Sequence, residues 1–527
     1  MTQESTYKYL GKPHRLVEGL DKVTGRAEYA ADVKLPGALH ARPIFSPYAH
    51  ATIVSIDKSE AEQMPGVVAV LTADDLPTKG KVMSSRNSAV LADGKVFFLG
   101  QPVAVVVGET EAATQDAADY VYIDYDPLPA AVETLAAMTD EAPTVWADGF
   151  PTEESDLSAM HSAVDAEGQA AAETFNNVHA TEHFERGNVE KAFAEADVVI
   201  ERTYNITAVH QGYMEPHATI VEPDPLRGTL TYYTGTQGQF VVRNEVSQIL
   251  GLPKSKVRVI PKVLGGGFGA KYGILEPLAG AIALTLHRPI RIQLTRSEDF
   301  LTTTPSPKTI ITLKTGATKN GALTALKAKI IMDNGIFKFA LGGLVAALLG
   351  GLYKCENTHL DVYEVNTNKP PIGAYRAPGA PQASFAMESN MDDMADQLGL
   401  DRLEFRLMNA VESGDLMGNN DPWPPLGLKK CLERMKSHPA WQEQNKAPNE
   451  GIGIAVGGWP SFMGPAGAVC QVNSDGTVRV QVGSVDISGV NSSFVLIAAE
   501  ALGISPDQVE IIQEDTRSAP FAPQSGG

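Results

Sequence analysis

The segment LGGGFGAK, residues 264–271, directly follows a run of strand character and sets three successive glycines ahead of an aromatic residue. Consecutive glycines permit positive φ and let a ligand approach the main chain closely. Successive N–H groups in such a loop can form a nest for an anion. A tight structural turn would use the same residues, although Phe268 among the glycines is harder to explain that way. The spacing lacks G-x-G-x-x-G, so this is no dinucleotide fingerprint. In GAYRAPGAPQ, residues 373–382, Arg376 stands between small residues and prolines. A stiff loop of this kind presents a guanidinium at low entropic cost, or simply leaves an arginine in solvent.

Two histidine-bearing segments invite a metal reading. HQGYMEPHATIVEPDP, residues 210–225, holds His210, His217 and Glu215, but reads better as a core strand with one satisfied carboxylate. HATEH, residues 179–183, has the i, i+4 spacing of a helical metal pair. It has no third ligand nearby, and a solvated face is the simpler reading. In TGTQGQF, residues 234–240, Gln237 falls between a β run and a helix, where a glutamine usually caps or faces solvent.

The elements that must position these residues follow from periodicity. ATIVSID (51–57), VVAVLTA (67–73) and PVAVVVG (102–108), followed by helical TEAATQDAADYV (110–121), predict a small α/β domain over residues 1–135. Residues 136–185, rich in Ala, Glu, Asp and Thr, predict an exposed insertion or linker. A second domain spans 186–412, with helices at 238–251, 275–287 and 387–410 and strands at 256–263 and 289–295. A linker over 413–450 leads to a third unit, 451–527, with a hairpin turn at Ser474, Asp475 and Gly476, then a helix and a strand. That unit is small for a domain and is expected to be incomplete.

Composition excludes several classes. A length of 527 residues suits about three or four domains. The net charge of -20 leaves no basic stripe for nucleic-acid phosphates. The longest apolar run, 341–352, is broken by glycines and is shorter than the roughly 20 residues of a membrane span. With a polar start, MTQESTYKYLGKPH, the chain reads as cytoplasmic, without signal peptide or anchor. Cys355, Cys431 and Cys470 are too scattered for an iron–sulfur or zinc site, so any such cluster belongs on another chain.

Taken in order, TQ, GGGFGAK, GAYRAPGAPQ and LEFRLMNA resemble the molybdopterin-binding large subunit of the xanthine dehydrogenase and aldehyde oxidoreductase family of molybdenum hydroxylases. The opening VEGLDKVTGRAEYAADVKLPGALHA resembles the hammerhead-like domain of that family, and the resemblance runs from about Val17 to Gly527. It implies an α+β architecture: an N-terminal α/β hammerhead-like domain, then molybdenum-cofactor-binding α+β domains, the last incomplete. It implies oxidative hydroxylation of an N-heterocycle (xanthine-, purine- or nicotinate-like) or an aldehyde, with water as oxygen donor. The cofactor would be molybdenum–pterin, as molybdopterin or its cytosine dinucleotide form. Iron–sulfur clusters and FAD would sit on partner subunits, with a further chain completing the last domain.

Carried over by motif, Gln237 would lie beside the apical ligand of molybdenum, with Gly267, Phe268 and Gly269 lending main-chain groups nearby. Arg376 would contact the cofactor region through its main chain, and Ser488, in DISGVNSS, takes the position of a family glutamine. No residue is expected to ligate the metal directly. The substrate pocket would include Tyr272, Leu344, Pro378 and Trp459. Tyr272 and Leu344 replace a glutamate and an arginine of xanthine-binding members, which favours an aldehyde or another N-heterocycle. The family's catalytic base, a glutamate in a Gly–Glu segment near the C-terminus, has no counterpart here, and Glu215 does not match its motif. The base is expected from another chain. An alternative role is a non-catalytic cofactor-binding scaffold completed by a separate polypeptide. A carbon monoxide dehydrogenase-like role is disfavoured because GAYRAPG carries no cysteine.

Overall fold

The unbroken apolar run Val103–Val107 is buried on both faces of its strand, Pro102–Gly108, because Val105 and Val107 enter one core and Val106 another. In the computed structural model, which describes residues 7–81, 90–147, 149, 151, 175–442, 447–460 and 464–526, this strand belongs to a seven-stranded sheet. From one edge the order is Val257–Pro261, Thr229–Thr234, Ala218–Asp224, Ile290–Gln293, Leu39–Phe45, Pro102–Gly108 and Val67–Thr72. Leu39–Phe45 runs parallel to Ile290–Gln293, with Leu39 opposite Ile290. The expected boundary at residue 135 is thus crossed by the main sheet. Local periodicity finds the strands, but not that three from the N-terminal region pair with four from the next.

Helices Gln239–Leu250 and Glu276–Leu286 close one face of this sheet. Gly251 stops the first at φ 67, a left-handed turn that glycine adopts without penalty. Gly280 lets the second approach the sheet so closely that a Cβ would meet Tyr232 Oη at 1.9 Å.

A second sheet has five strands, ordered Val178–Arg186, Thr358–Val365, Leu323–Asp333, Lys308–Ala317 and Val198–Ile206. Helices Gly342–Leu349 and Ala380–Leu398 fill its core. Val178–Arg186 corrects two expectations. Part of the supposed insertion over 136–185 is an edge strand, and Ala137, Met138 and Val145 are buried against the sheet. Residues 152–174 of that stretch lie outside the described residues. HATEH is extended rather than helical, so His179 and His183 lie about 13 Å apart along the strand. His179 pairs instead with Glu364 at 3.3 Å.

The expected linker, 413–450, is also not free. Trp423 and Leu432 belong to the second core, as does Val456 just beyond it. Val456 N donates to Glu388 Oε2, which also accepts from the fully buried Arg406. Burial raises the Glu388 carboxyl despite the opposing pull of Arg406. Tyr353 Oη donates to the other oxygen of Glu388 at 2.6 Å. Tyr353→Phe is therefore expected to cost about 2 kcal/mol, the scale of a buried hydrogen bond to a charged group. A shift below about 0.5 kcal/mol in denaturant unfolding would contradict that, being the range of a neutral surface change.

The third unit pairs Ala468–Val472, Val478–Val482 and Val509–Gln513 in one sheet, with helix Val490–Leu502 against it. The predicted hairpin turn forms with Gly476 at φ 82. Among the described residues, no helix is long and apolar enough to cross a membrane.

Candidate functional site

Thr229–Thr234 and Val257–Pro261 are parallel neighbours, so the loops leaving their carboxyl ends emerge side by side. One carries Gln237 and the other the glycine run 265–267, distant in sequence because the helix Gln239–Leu250 intervenes. Open sheets bind ligands at such strand ends. Gln237 is 3% exposed, which rules out the surface role its position suggested. Its Oε1 accepts from Gly269 N at 2.9 Å and from Lys271 N at 3.4 Å. Its Nε2 donates to Tyr272 Oη at 3.1 Å and to Ser525 O at 2.9 Å. The carboxamide is thus a strut between the glycine loop and the C-terminal segment.

The glycines are there for space. A Cβ on Gly267 would stand 2.4 Å from Gln237 Oε1, and one on Gly269, at φ 108, 2.7 Å from Ala374 O. The latter contact brings in the third loop, residues 366–379, which leaves the strand Thr358–Val365 of the other sheet. Arg376 N donates to Phe268 O at 2.8 Å. Gln211 Nε2 bridges Thr304 O and Ala374 O at 2.7 and 2.8 Å. Nine non-glycine residues have positive φ among the described residues, and Phe268, Arg376, Ala377 and Ser488 are four of them. Unfavourable backbone gathered in sequence-distant loops is typical of ligand sites.

Beneath the loop lies a buried ion pair. Lys271, 1% exposed, donates through Nζ to Glu215 O and Oε2, both at 2.7 Å. Burial lowers the Lys271 ammonium, opposed by the charge of Glu215. Glu215 Oε2 also accepts from Gly265 N at 2.7 Å, which anchors the start of the loop. Alongside, His217 Nδ1 sits 2.8 Å from Asp299 Oδ1 and 3.0 Å from Tyr213 Oη. Burial alone would raise the Asp299 carboxyl, but its hydrogen bond and charge contact with His217 hold it below the ordinary value. The two histidines and Glu215 of residues 210–225 are therefore engaged in buried networks, not gathered on a metal.

The remaining sites are less tightly joined. Tyr272 is buried and meets Gln237 through its hydroxyl. Ser488 is exposed, on a loop linked to Gln237 through Ser525, whose Oγ donates to Val485 O. Arg376 is exposed while Pro378 is buried beside it. Leu344 is 3% exposed in the second core, under Gly379, and Trp459 is half-buried against that core. Sequence reasoning read Glu215 as a satisfied carboxylate, which it is, but gave no role to Gln211, Lys271 or Ser525. Their roles depend on contacts 34 to 288 residues away, for which local spacing holds no signal.

Residues 24–129 match the aldehyde oxidase and xanthine dehydrogenase a/b hammerhead domain, and 171–410 and 430–527 each match a molybdopterin cofactor-binding domain. The chain is 31% identical to the xanthine dehydrogenase molybdenum-binding subunit of Escherichia coli, covering 96% of this chain and 68% of that one. It is 33% identical to the nicotinate dehydrogenase large molybdopterin subunit of Eubacterium barkeri, over 82% of this chain and 96% of the relative. This chain belongs to the molybdopterin-binding large subunits of the xanthine dehydrogenase family. Solved members of the family share its architecture. Quinoline 2-oxidoreductase from Pseudomonas putida 86 superposes with a TM-score of 0.83 at 26% identity, covering 98% of this chain and 68% of that one. Aldehyde oxidoreductase from Desulfovibrio gigas gives 0.83 at 25%, covering 98% and 57%.

The residues present fit a molybdenum–pterin group. Only hydrogen fits at Gly267 and Gly269, so main chain alone can face a ligand there. Among the described residues, none accepts a hydrogen bond from the N–H of Gly266, Gly267 or Phe268. Neutral donors of this kind suit an oxygen-rich anionic group.

Proposed function

We propose that this chain forms one wall of the molybdenum site in an enzyme that oxidatively hydroxylates an aldehyde or N-heterocycle. Water supplies the oxygen, and electrons pass to iron–sulfur and flavin partner subunits in the cytoplasm. When bound, the cofactor supplies the redox chemistry and polarises its substrate oxygen. Gly267, Phe268 and Arg376 would hold it through main-chain groups, with Gln237 fixing their positions and Ser488 lying toward the pterin. The pterin form is molybdopterin or its cytosine dinucleotide. Phe268, 46% exposed, offers an aromatic face beside those donors.

The carrying observation is the Gln237 strut, which ties the glycine loop to the C-terminal segment, while Arg376 N seats the loop of the second sheet on Phe268 O. Substrate preference follows from what surrounds it. Tyr272 Oη is engaged by Gln237, Leu344 and Pro378 are buried, and Trp459 packs against the second core, so none of the four carried-over positions offers a charged group. These groups suit a weakly polar aldehyde or a nicotinate-like ring better than xanthine. The loop 373–382 has no cysteine, which argues against a copper-dependent carbon monoxide chemistry.

A second reading has one observation in its favour. The carboxylate nearest the loop, Glu215, is held by Lys271 and Gly265 and is not free to act as a base. This chain would then bind cofactor while a separate chain completes the catalytic site and supplies the base. Gln237→Ala tests the main proposal. It removes the acceptor of Gly269 N and Lys271 N, and molybdenum per chain in the assembled complex should fall about tenfold, as for other partners that orient a metal site. Unchanged molybdenum content and turnover would defeat the proposal. Full molybdenum binding by a complex that cannot turn over would favour the scaffold.

A further inference from the structure

Strand pairing assembles a second cluster that no single segment of sequence contains. On the outer face of the five-stranded sheet, Asp361 lies opposite His183 and His359 opposite Glu185. The two strands are Thr358–Val365 and the edge strand Val178–Arg186. The alternate residues Phe184, Leu360 and Val362 enter the core, so the pleat aims these four side chains outward together. His183 Nδ1 is 2.7 Å from Asp361 Oδ1, and His359 Nε2 is 3.0 Å from Asp361 Oδ2. His183 Nε2 approaches Glu185 Oε2 at 3.6 Å. One ligand atom from each of His183, His359 and Asp361 falls within 4.8 Å of the others.

Asp361 thus faces an imidazole nitrogen with each of its two oxygens, while Glu185 stands on the far side of the His183 ring. A cation held among the three can take a lone pair from each of them. The neighbouring strand adds Lys327 opposite His359 and Lys329 opposite Asp361. Lys327 Nζ turns to Glu190 at 3.1 Å, and Lys329 lies over the rings of Phe175 and Tyr363 at 4.8 Å. Both ammonium groups are drawn to other partners.

We propose that His183, His359 and Asp361 bind a borderline divalent cation of the zinc class, with water completing its coordination. Two imidazoles with carboxylate oxygens are a ligand set such ions favour. The site shares no residue with the cofactor wall and ties an edge strand to its neighbour, which makes it a structural clamp.

The test is calorimetric titration of the chelator-treated full chain with zinc chloride, beside His359→Gln and Asp361→Asn. The parent should bind one equivalent and gain unfolding temperature. Each variant should bind at least about tenfold more weakly, a loss that even outer-shell partners of a metal can produce. Binding that survives in the variants puts the ion elsewhere, at Cys431, Cys470 or another histidine, and overturns the proposal. Absence of binding by the parent overturns it equally. Should a variant fail to fold, cobalt(II) spectra of the parent decide. Visible bands without thiolate charge transfer support the site, and sulfur-to-metal bands refute it.

Discussion

Lys271→Met should destabilise the protein by about 3–5 kcal/mol, because it removes one member of a buried ion pair and strands the other. Lys271 is 1% exposed and makes two hydrogen bonds to Glu215, one to the carboxylate and one to the carbonyl. Without it, the Glu215 carboxylate keeps a single hydrogen bond, from Gly265 N, while Oε1 is buried with no partner. The ammonium also lies 4.8 Å from the centre of the Tyr213 ring, a cation–π contact the methionine would lose. The loop start is then free to move, and cofactor retention should fall with stability. Lys271→Met with Glu215→Gln removes both charges and should recover much of the loss, since unpaired burial is what costs most. Chemical denaturation of the parent and these two variants is the measurement. A single variant within about 0.5 kcal/mol of the parent would show that the pair holds nothing in place.

Gly269→Ala should cost about 3 kcal/mol or more and strip the cofactor from the assembled enzyme, with two sources adding. The backbone is at φ 108, and the new Cβ would lie 2.7 Å from Ala374 O and 2.9 Å from its carbonyl carbon. Neither atom is the flexible end of a side chain, so one loop must shift. That shift would break Arg376 N to Phe268 O, the bond that seats the third loop on the second. Gly251→Ala is the control. It has φ 67 but nothing within 4 Å of the new Cβ, so it carries the conformational cost alone, about 1–2 kcal/mol. Unfolding of both variants and molybdenum content of the first give the comparison. Equal losses in the two would mean that the close approach to Ala374 is not a constraint.

The elements near the site were legible where the pattern is local. The apolar helix Glu276–Leu286, the hairpin at Gly476 and the strand Val257–Pro261 follow from spacing and turn residues alone. The glycine run at 265–267 was legible as an unusual loop, since glycine's freedom is a property of the residue itself. HATEH was misread because i, i+4 spacing has meaning only on a helix, and pairing with Thr358–Val365 made it a strand. Residues 413–450 read as a linker because Trp423 and Leu432 are isolated apolar residues whose burial depends on a core built elsewhere.

By itself the sequence determined which chemistry is at hand: the motifs, their order, the family they resemble, and loops that could bring main-chain donors to an anion. It also determined that the loop 373–382 carries no cysteine. Only the tertiary structure decided that Gln237 is a buried strut, that Glu215 is tied to Lys271, and that His183 meets His359 and Asp361. The physical reason is one of range. Backbone freedom and periodicity act within a few residues, whereas a hydrogen bond or ion pair joins whatever the sheets bring within about 3 Å, however far apart in the chain.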